Sequence, residues 1–205
     1  GTDEACAAAE QIADLCGNLP LYVGICGGIV ADYEGASEWQ TELIQMLKKD
    51  RLRVMGAKEG AEGETVHRVV GTSLAMLKDE TAAIVFKFLG LCPEDVPIPM
   101  EAVSLIWEAC LPEQSSEVDA LAVRKMCKKL LDRNLLMGST ADGVLLHDIV
   151  RDFMRSKFEG RDEIREKQRL IIQGIIAATP KTDWQQNTAL GQYVRQSLMQ
   201  HMAEA

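Results

Sequence analysis

Two short clusters in this chain carry side chains that could meet a charged ligand. One is Leu19-Pro20-Leu21, and the other is His147-Asp148. A neutral imidazole donates a hydrogen bond to an anion and adds charge once protonated. A proline in the first turn of a helix offers a rigid apolar surface and gives up no needed backbone donor. Taken locally, each cluster has a plainer account. Pro20 starts a helix; His147 ends a strand and is satisfied by the backbone, with Asp148 capping the helix that follows. A His-Asp pair also resembles part of a catalytic dyad, but no activated Ser or Cys motif accompanies it. Gly24, Gly27 and Gly28 do not form a phosphate loop, because no Lys-Ser/Thr follows them and no strand leads into them. Close helix packing accounts for them better. Gly-x-x-x-x-Gly-Lys-Ser/Thr occurs nowhere in the sequence, and no strand-borne acidic pair suggests magnesium. No catalytic residue and no metal ligand is therefore assigned.

The bulk numbers narrow the setting. With 22 basic and 31 acidic residues in 205, the net charge is −9, which argues against broad contact with nucleic acid or an anionic membrane. Arg124, Lys125, Lys128, Lys129 and Arg133 do crowd one helix, where a DNA-reading protein would carry its recognition helix. Asp119 and Asp132 flank them, and a solvated face or a contact with another domain explains them more simply. No apolar run approaches the roughly 18 residues of a membrane span. Cysteines at 6, 16, 26, 92, 110 and 127 form no Cys-x-x-Cys pair and fall mostly on apolar helical stripes. The expected state is reduced, cytoplasmic and free of metal.

The elements that must position these residues are mainly helical. Apolar spacing over Ala5–Cys16 predicts a helix closed by Gly17. A second helix is expected from Pro20 to about Tyr33, and a third over Ser37–Lys49 with Ser37 as its cap. That third helix should turn Trp39, Leu43, Met46 and Leu47 inward. Residues 56–64, rich in Gly, Glu and Ala, read as a surface loop. Further helices are expected at about 65–77, 79–90, 100–111 and 117–133, with the proline-rich 92–99 as an extended connector. Trp107, Phe86 and Phe88 suit a core or an interface. Leu135-Leu136-Met137, the turn signal Thr140-Ala141-Asp142-Gly143, and Val144-Leu145-Leu146 predict a β-hairpin. A helix at 149–158 follows, then two amphipathic helices to about 178 and from about 188 to 202.

Three segments in this order resemble the ARC half of the NB-ARC family of STAND-type signalling ATPases, which includes plant disease-resistance proteins and apoptotic protease-activating factors. Cys16-Gly17-Asn18-Leu19-Pro20-Leu21 is similar to the family's Gly-Leu-Pro-Leu motif. Phe88-Leu89-Gly90-Leu91-Cys92-Pro93-Glu94-Asp95, with Ile98 and Trp107 behind it, is similar to its Phe-Pro-Glu-Asp segment. Leu146-His147-Asp148-Ile149-Val150-Arg151-Asp152-Phe153 resembles its Met-His-Asp motif. Asn18 replaces the usual Gly, Tyr22 a small Ala, and Leu146 a Met of similar volume; the ring of Tyr22 must find room beside the nucleotide.

The resemblance implies an ARC-type helical subdomain over 1–60, a winged-helix subdomain over 65–160, and a helical linker over 161–205. It implies accessory contacts to ADP or ATP by Leu19, Pro20, Leu21, His147 and Asp148. In the family the proline packs on base and sugar, and the histidine meets the β-phosphate of ADP. The expected partners are an N-terminal nucleotide-binding domain that holds the main phosphate site and a C-terminal repeat-type sensor domain. Assembly into a homo-oligomer would accompany activation. The chain is expected to be part of something longer at both ends; any ATPase activity belongs to the longer protein. A DNA-binding winged helix and a helical adaptor without nucleotide are the alternatives.

Overall fold

The computed structural model describes residues 2–33, 38–54, 61–178 and 188–205, which fall into two compact units. Among the described residues there are ten α-helices, one 3-10 helix and one two-stranded antiparallel hairpin, so the fold is mainly helical with a short hairpin.

The first unit comprises residues 1–79 with 132–135. Its helices are α1 (Thr2–Leu15), α2 (Pro20–Ala31), α3 (Trp39–Val54) and α4 (Ala61–Leu77). Ile12, Cys16, Ile25, Ile29, Leu43, Leu47, Val69 and Val70 form its core. Burying a Leu, Ile or Val contributes about 1.5–3 kcal/mol, and α2, almost wholly apolar, buries Tyr22, Ile25, Cys26 and Ile29. Leu43 and Leu47 point inward as expected, whereas Trp39 and Met46 are half-buried. Cys16 and Cys26 bring their sulfurs to 3.5 Å as free thiols. Their hydrogen bond, with burial, pushes the Cys26 thiol far up. Arg68, itself buried, donates to the Leu15 carbonyl at the end of α1. Helix α4 starts at Ala61, four residues inside the stretch expected as loop, because Ala61, Glu62 and Glu64 are competent helix formers beside one glycine. The rest of that loop, 56–60, and the Ser37 cap lie outside the described residues.

The second unit comprises residues 80–131 and 136–205. It holds α5 (Glu80–Leu89), α6 (Met100–Cys110), a 3-10 helix (Pro112–Glu117), α7 (Ala120–Asp132), β1 (Met137–Ser139), β2 (Gly143–Leu145), α8 (Asp148–Arg155), α9 (Arg161–Ala178) and α10 (Ala189–Glu204). The terminal residue of α7 counts with the first unit. The hairpin pairs Met137 with Leu145 and Ser139 with Gly143. Ile98 bridges Val144 through two backbone bonds of 2.8 and 2.9 Å, so the proline-rich connector pairs with β2 as an isolated antiparallel bridge. Phe86, Phe88, Ile106, Trp107, Leu130, Val144 and Phe153 are buried around it. Helix α9 packs on α6 and α10, which places both C-terminal helices inside this unit.

Candidate functional site

The Leu19-Pro20-Leu21 cluster owes its geometry to the turn before it. Gly17 (φ +65°) and Asn18 (φ +57°) both adopt the left-handed conformation, and the Asn18 N–H donates to Ala13 O at 2.9 Å. Asparagine tolerates this conformation better than other non-glycine residues, which explains how Asn18 stands where the resemblance has Gly. Leu19 is then extended, and Pro20 takes the first position of α2. Tyr22, Ile25, Cys26, Gly28 and Ile29 are buried, while Leu19, Pro20, Val23 and Gly27 remain exposed along one stripe. Leu21 is half-buried. The Tyr22 ring, only 1% exposed, has turned into the core and leaves the Pro20 surface open.

His147 sits between β2 and α8 in extended conformation (φ −67°, ψ 140°). It, and not Asp148, is the cap of this helix: its Nδ1 accepts from the Ile149 N–H at 3.4 Å. Asp148 is one residue too late; it is the first helical residue and exposed, where its charge suits the positive end of α8. With Nδ1 accepting, the neutral ring carries its hydrogen on Nε2, a tautomer assigned from that bond.

Helix α8 is itself fastened by residues of the segment 88–95. Arg151, 8% exposed, places Nη1 at 2.8 Å and Nη2 at 2.6 Å from Glu94 Oε1. A Cβ on Gly90 would stand 2.6 Å from Met154 Cβ, so only glycine lets the end of α5 approach α8. Phe88 meets Phe158 edge-on at 5.9 Å between centroids. The second and third quoted segments are thus one packed assembly that holds His147. The first segment lies in the other compact unit.

Other polar centres were missed. In the second unit Gln168 Nε2 donates to Leu91 O at 2.9 Å and to Glu204 at 2.8 Å. Its Oε1 meets His201 Nδ1 at 2.6 Å, and His201 Nε2 meets Tyr193 OH at 3.0 Å. Gln168, Tyr193, Ser197 and His201 are all sealed from solvent. Burial pushes His201 down to about 4, against the opposing pull of Glu204. Burial also pushes the Cys92 thiol up to about 12, partly offset by its contact with Tyr193. The available signal was a polar residue at an inward helical position. In the first unit Arg133, counted above with the basic face, is buried and paired with Asp32, so it is not available to a nucleic acid. Among the described residues no group of His, Cys, Asp or Glu is placed to hold a metal ion, and no helix is long and apolar enough to cross a membrane.

Compared with known proteins, the chain is 27% identical over 148 residues to a probable disease resistance protein of Arabidopsis thaliana, covering 70% of this chain and 17% of that protein. It is 24% identical over 151 residues to apoptotic protease-activating factor 1 of Homo sapiens, covering 73% of this chain and 11% of that protein. No protein-family profile matches it. These distant likenesses support an NB-ARC-like kinship at low identity. The chain spans less than a fifth of the length of either relative.

Proposed function

We propose that the chain is the regulatory part of a nucleotide-dependent signalling switch: an ARC-type helical subdomain, a winged helix that senses bound ADP, and a helical linker. Leu19, Pro20 and Leu21 supply an apolar platform for base and sugar. His147 donates from Nε2 to a phosphate, and Asp148 steadies the helix behind it. The main phosphate contacts come from a nucleotide-binding domain outside this chain, and a repeat-type sensor domain lies beyond its other end. Exchange of ADP for ATP releases the winged helix and permits homo-oligomerisation in the cytoplasm.

The observation that carries this reading is the place of His147 at the start of α8. Its Nδ1 accepts from the Ile149 N–H, which leaves Nε2 to donate to an anion at a helix start. The decisive measurement is ADP retention in the longer protein. His147→Ala should release ADP faster and raise the active population; retention equal to wild type would sink the sensor role. The 205-residue chain alone should bind ADP weakly, since it lacks the phosphate loop.

A further inference from the structure

Residues 132–135 belong to the first unit, and what holds them there is unusual in its chemistry. Arg133 is 5% exposed. Its Nε donates to Asp32 Oδ2 at 2.7 Å, and its Nη2 lies 2.5 Å from the same oxygen. Nη1 donates to Ser73 O at 3.1 Å, and Nη2 also reaches Met76 O at 3.4 Å. Helix α4 ends at Leu77, so the guanidinium sits against carbonyls of its last turns, at the negative end of the helix. Asn134 (φ +53°) donates from Nδ2 to Gly24 O at 2.9 Å. A Cβ on Gly28 would stand 2.6 Å from Arg133 Cα and 2.7 Å from Asp132 O, so the backbone of the segment rests directly on α2.

The socket is therefore built from the last turns of α2, from Asp32 just beyond it, and from the end of α4. One wall faces water. The Asp32 side chain is 51% exposed, and a cavity of about 450 Å³, lined in part by Asp32, Tyr33, Glu42 and Lys78, opens beside the pair. Helix α2 begins with Pro20. Two residues beyond the socket, Met137 opens the hairpin that leads to His147.

We propose that Arg133 and its socket form a reversible latch, which fastens the segment leading to His147 onto the helix that begins with Pro20. Leu135, in the same segment, is 1% exposed and gives up its apolar burial when the segment lifts, which weights the latch towards the closed state. A guanidinium instead regains full hydration, and its half-exposed counterion already has most of its own. The positioning role towards His147 and Pro20 rests on the nucleotide reading given above; the latch itself does not. Asp32, Arg133, Asn134 and Gly28 are on this view positioning residues, acting through the chain on His147 and through α2 on Pro20.

Trypsin supplies a direct probe, because the Arg133–Asn134 bond is a cleavage site that the socket protects. Asp32→Asn removes the charge, and Gly28→Ala pushes against the Arg133 backbone. Each should speed cleavage after Arg133 by about tenfold, the effect of weakening one part-exposed pair or one close contact. Gly27→Ala, where a Cβ meets nothing within 4 Å, should leave it unchanged. Cleavage after Arg169 on α9 serves as the internal control. Wild-type rates at Arg133 in both variants would overturn the latch, as would a uniform rise at every site, which signals general unfolding. In the longer protein, Asp32→Asn should shorten ADP retention in the same direction as His147→Ala. Loss of tryptic protection without that change, while His147→Ala does act, overturns the positioning role and leaves the nucleotide reading intact. If His147→Ala has no effect either, the nucleotide reading fails and the tryptic result alone decides the latch.

Discussion

In the first unit a guanidinium is buried against a carboxylate that stays half in water. In the second, an amide, an imidazole and a phenol are buried together as neutral groups, with Glu204 and Arg155 closing the edge at 2.9 Å. Both arrangements satisfy polar groups inside helical packing, but they differ in how they can open. When the pair parts, Arg133 gains water and Asp32, half exposed, keeps most of its own. Gln168, His201 and Tyr193 have no such exit, since every polar atom in the relay would lose its partner at once. A part-exposed charge pair suits a joint that must release; a sealed neutral relay suits one that must not. The relay ties α9 and α10 to the turn after α5.

The largest test of this contrast is Gln168→Leu. It strands the His201 Nδ1–H and the Leu91 carbonyl, and should destabilise the second unit by about 3 kcal/mol in urea denaturation. A loss under about 1 kcal/mol would mean that the relay is not the lock described. Next in size is pH. His201 titrates near 4 when folded, against an ordinary value of 6.5, because burial disfavours its charged form. Its contribution is therefore intact above 6.5 and is lost as pH falls towards 4, since the unfolded chain takes up the proton first. The loss reaches about 3 kcal/mol at most. Urea midpoints at pH 7 and pH 4.5 should differ in this direction, and His201→Gln should flatten the difference; a steeper loss on the alkaline side would refute the assignment.

Arg151 and Glu94 repeat the chemistry of the first unit's pair in the second, and Glu94→Gln tests it. It leaves Arg151 buried beside a neutral partner and should cost about 1 kcal/mol, discounted because Glu94 is 54% exposed. A cost equal to that of Gln168→Leu would erase the distinction between charged and neutral locks. The smallest effect separates two duties of His147. Its replacement by Ala loses the cap of α8 and about 1 kcal/mol, whereas Asn keeps a capping oxygen and should cost only a few tenths of that. Thermal melts of the two variants decide it: equal destabilisation would show that the Ile149 bond contributes nothing.

Much of the architecture was legible in the residues because its causes are local. Gly17, Asn18 and Pro20 specify a helix end, a left-handed turn and a helix start within four positions. The turn signal at 140–143 covers the hairpin's loop, 140–142, and the first residue of β2, and the apolar spacing of α5, α6, α7, α9 and α10 located each of them to within a few residues. Gly and Glu among alanines read as loop at the start of α4, while the chain folds as helix there. Aspartate is the commoner cap and points to Asp148; backbone geometry gives the role to His147. Of the proposed site, the exposure of Pro20 and the inward turn of Tyr22 needed the fold.

The residues by themselves determined the order of helices, the hairpin and the turn chemistry that presents Pro20 and His147. Those features depend on neighbours within a turn or two, where propensity and periodicity act. Only the tertiary structure decided that Arg133 leaves a basic surface for a socket, that Glu94 and Arg151 join two distant segments, and that His201 stays neutral. Arg133 and Asp32 are 101 positions apart. Whether a charge stays in water or is buried depends on such partners, and a one-dimensional pattern carries no record of them.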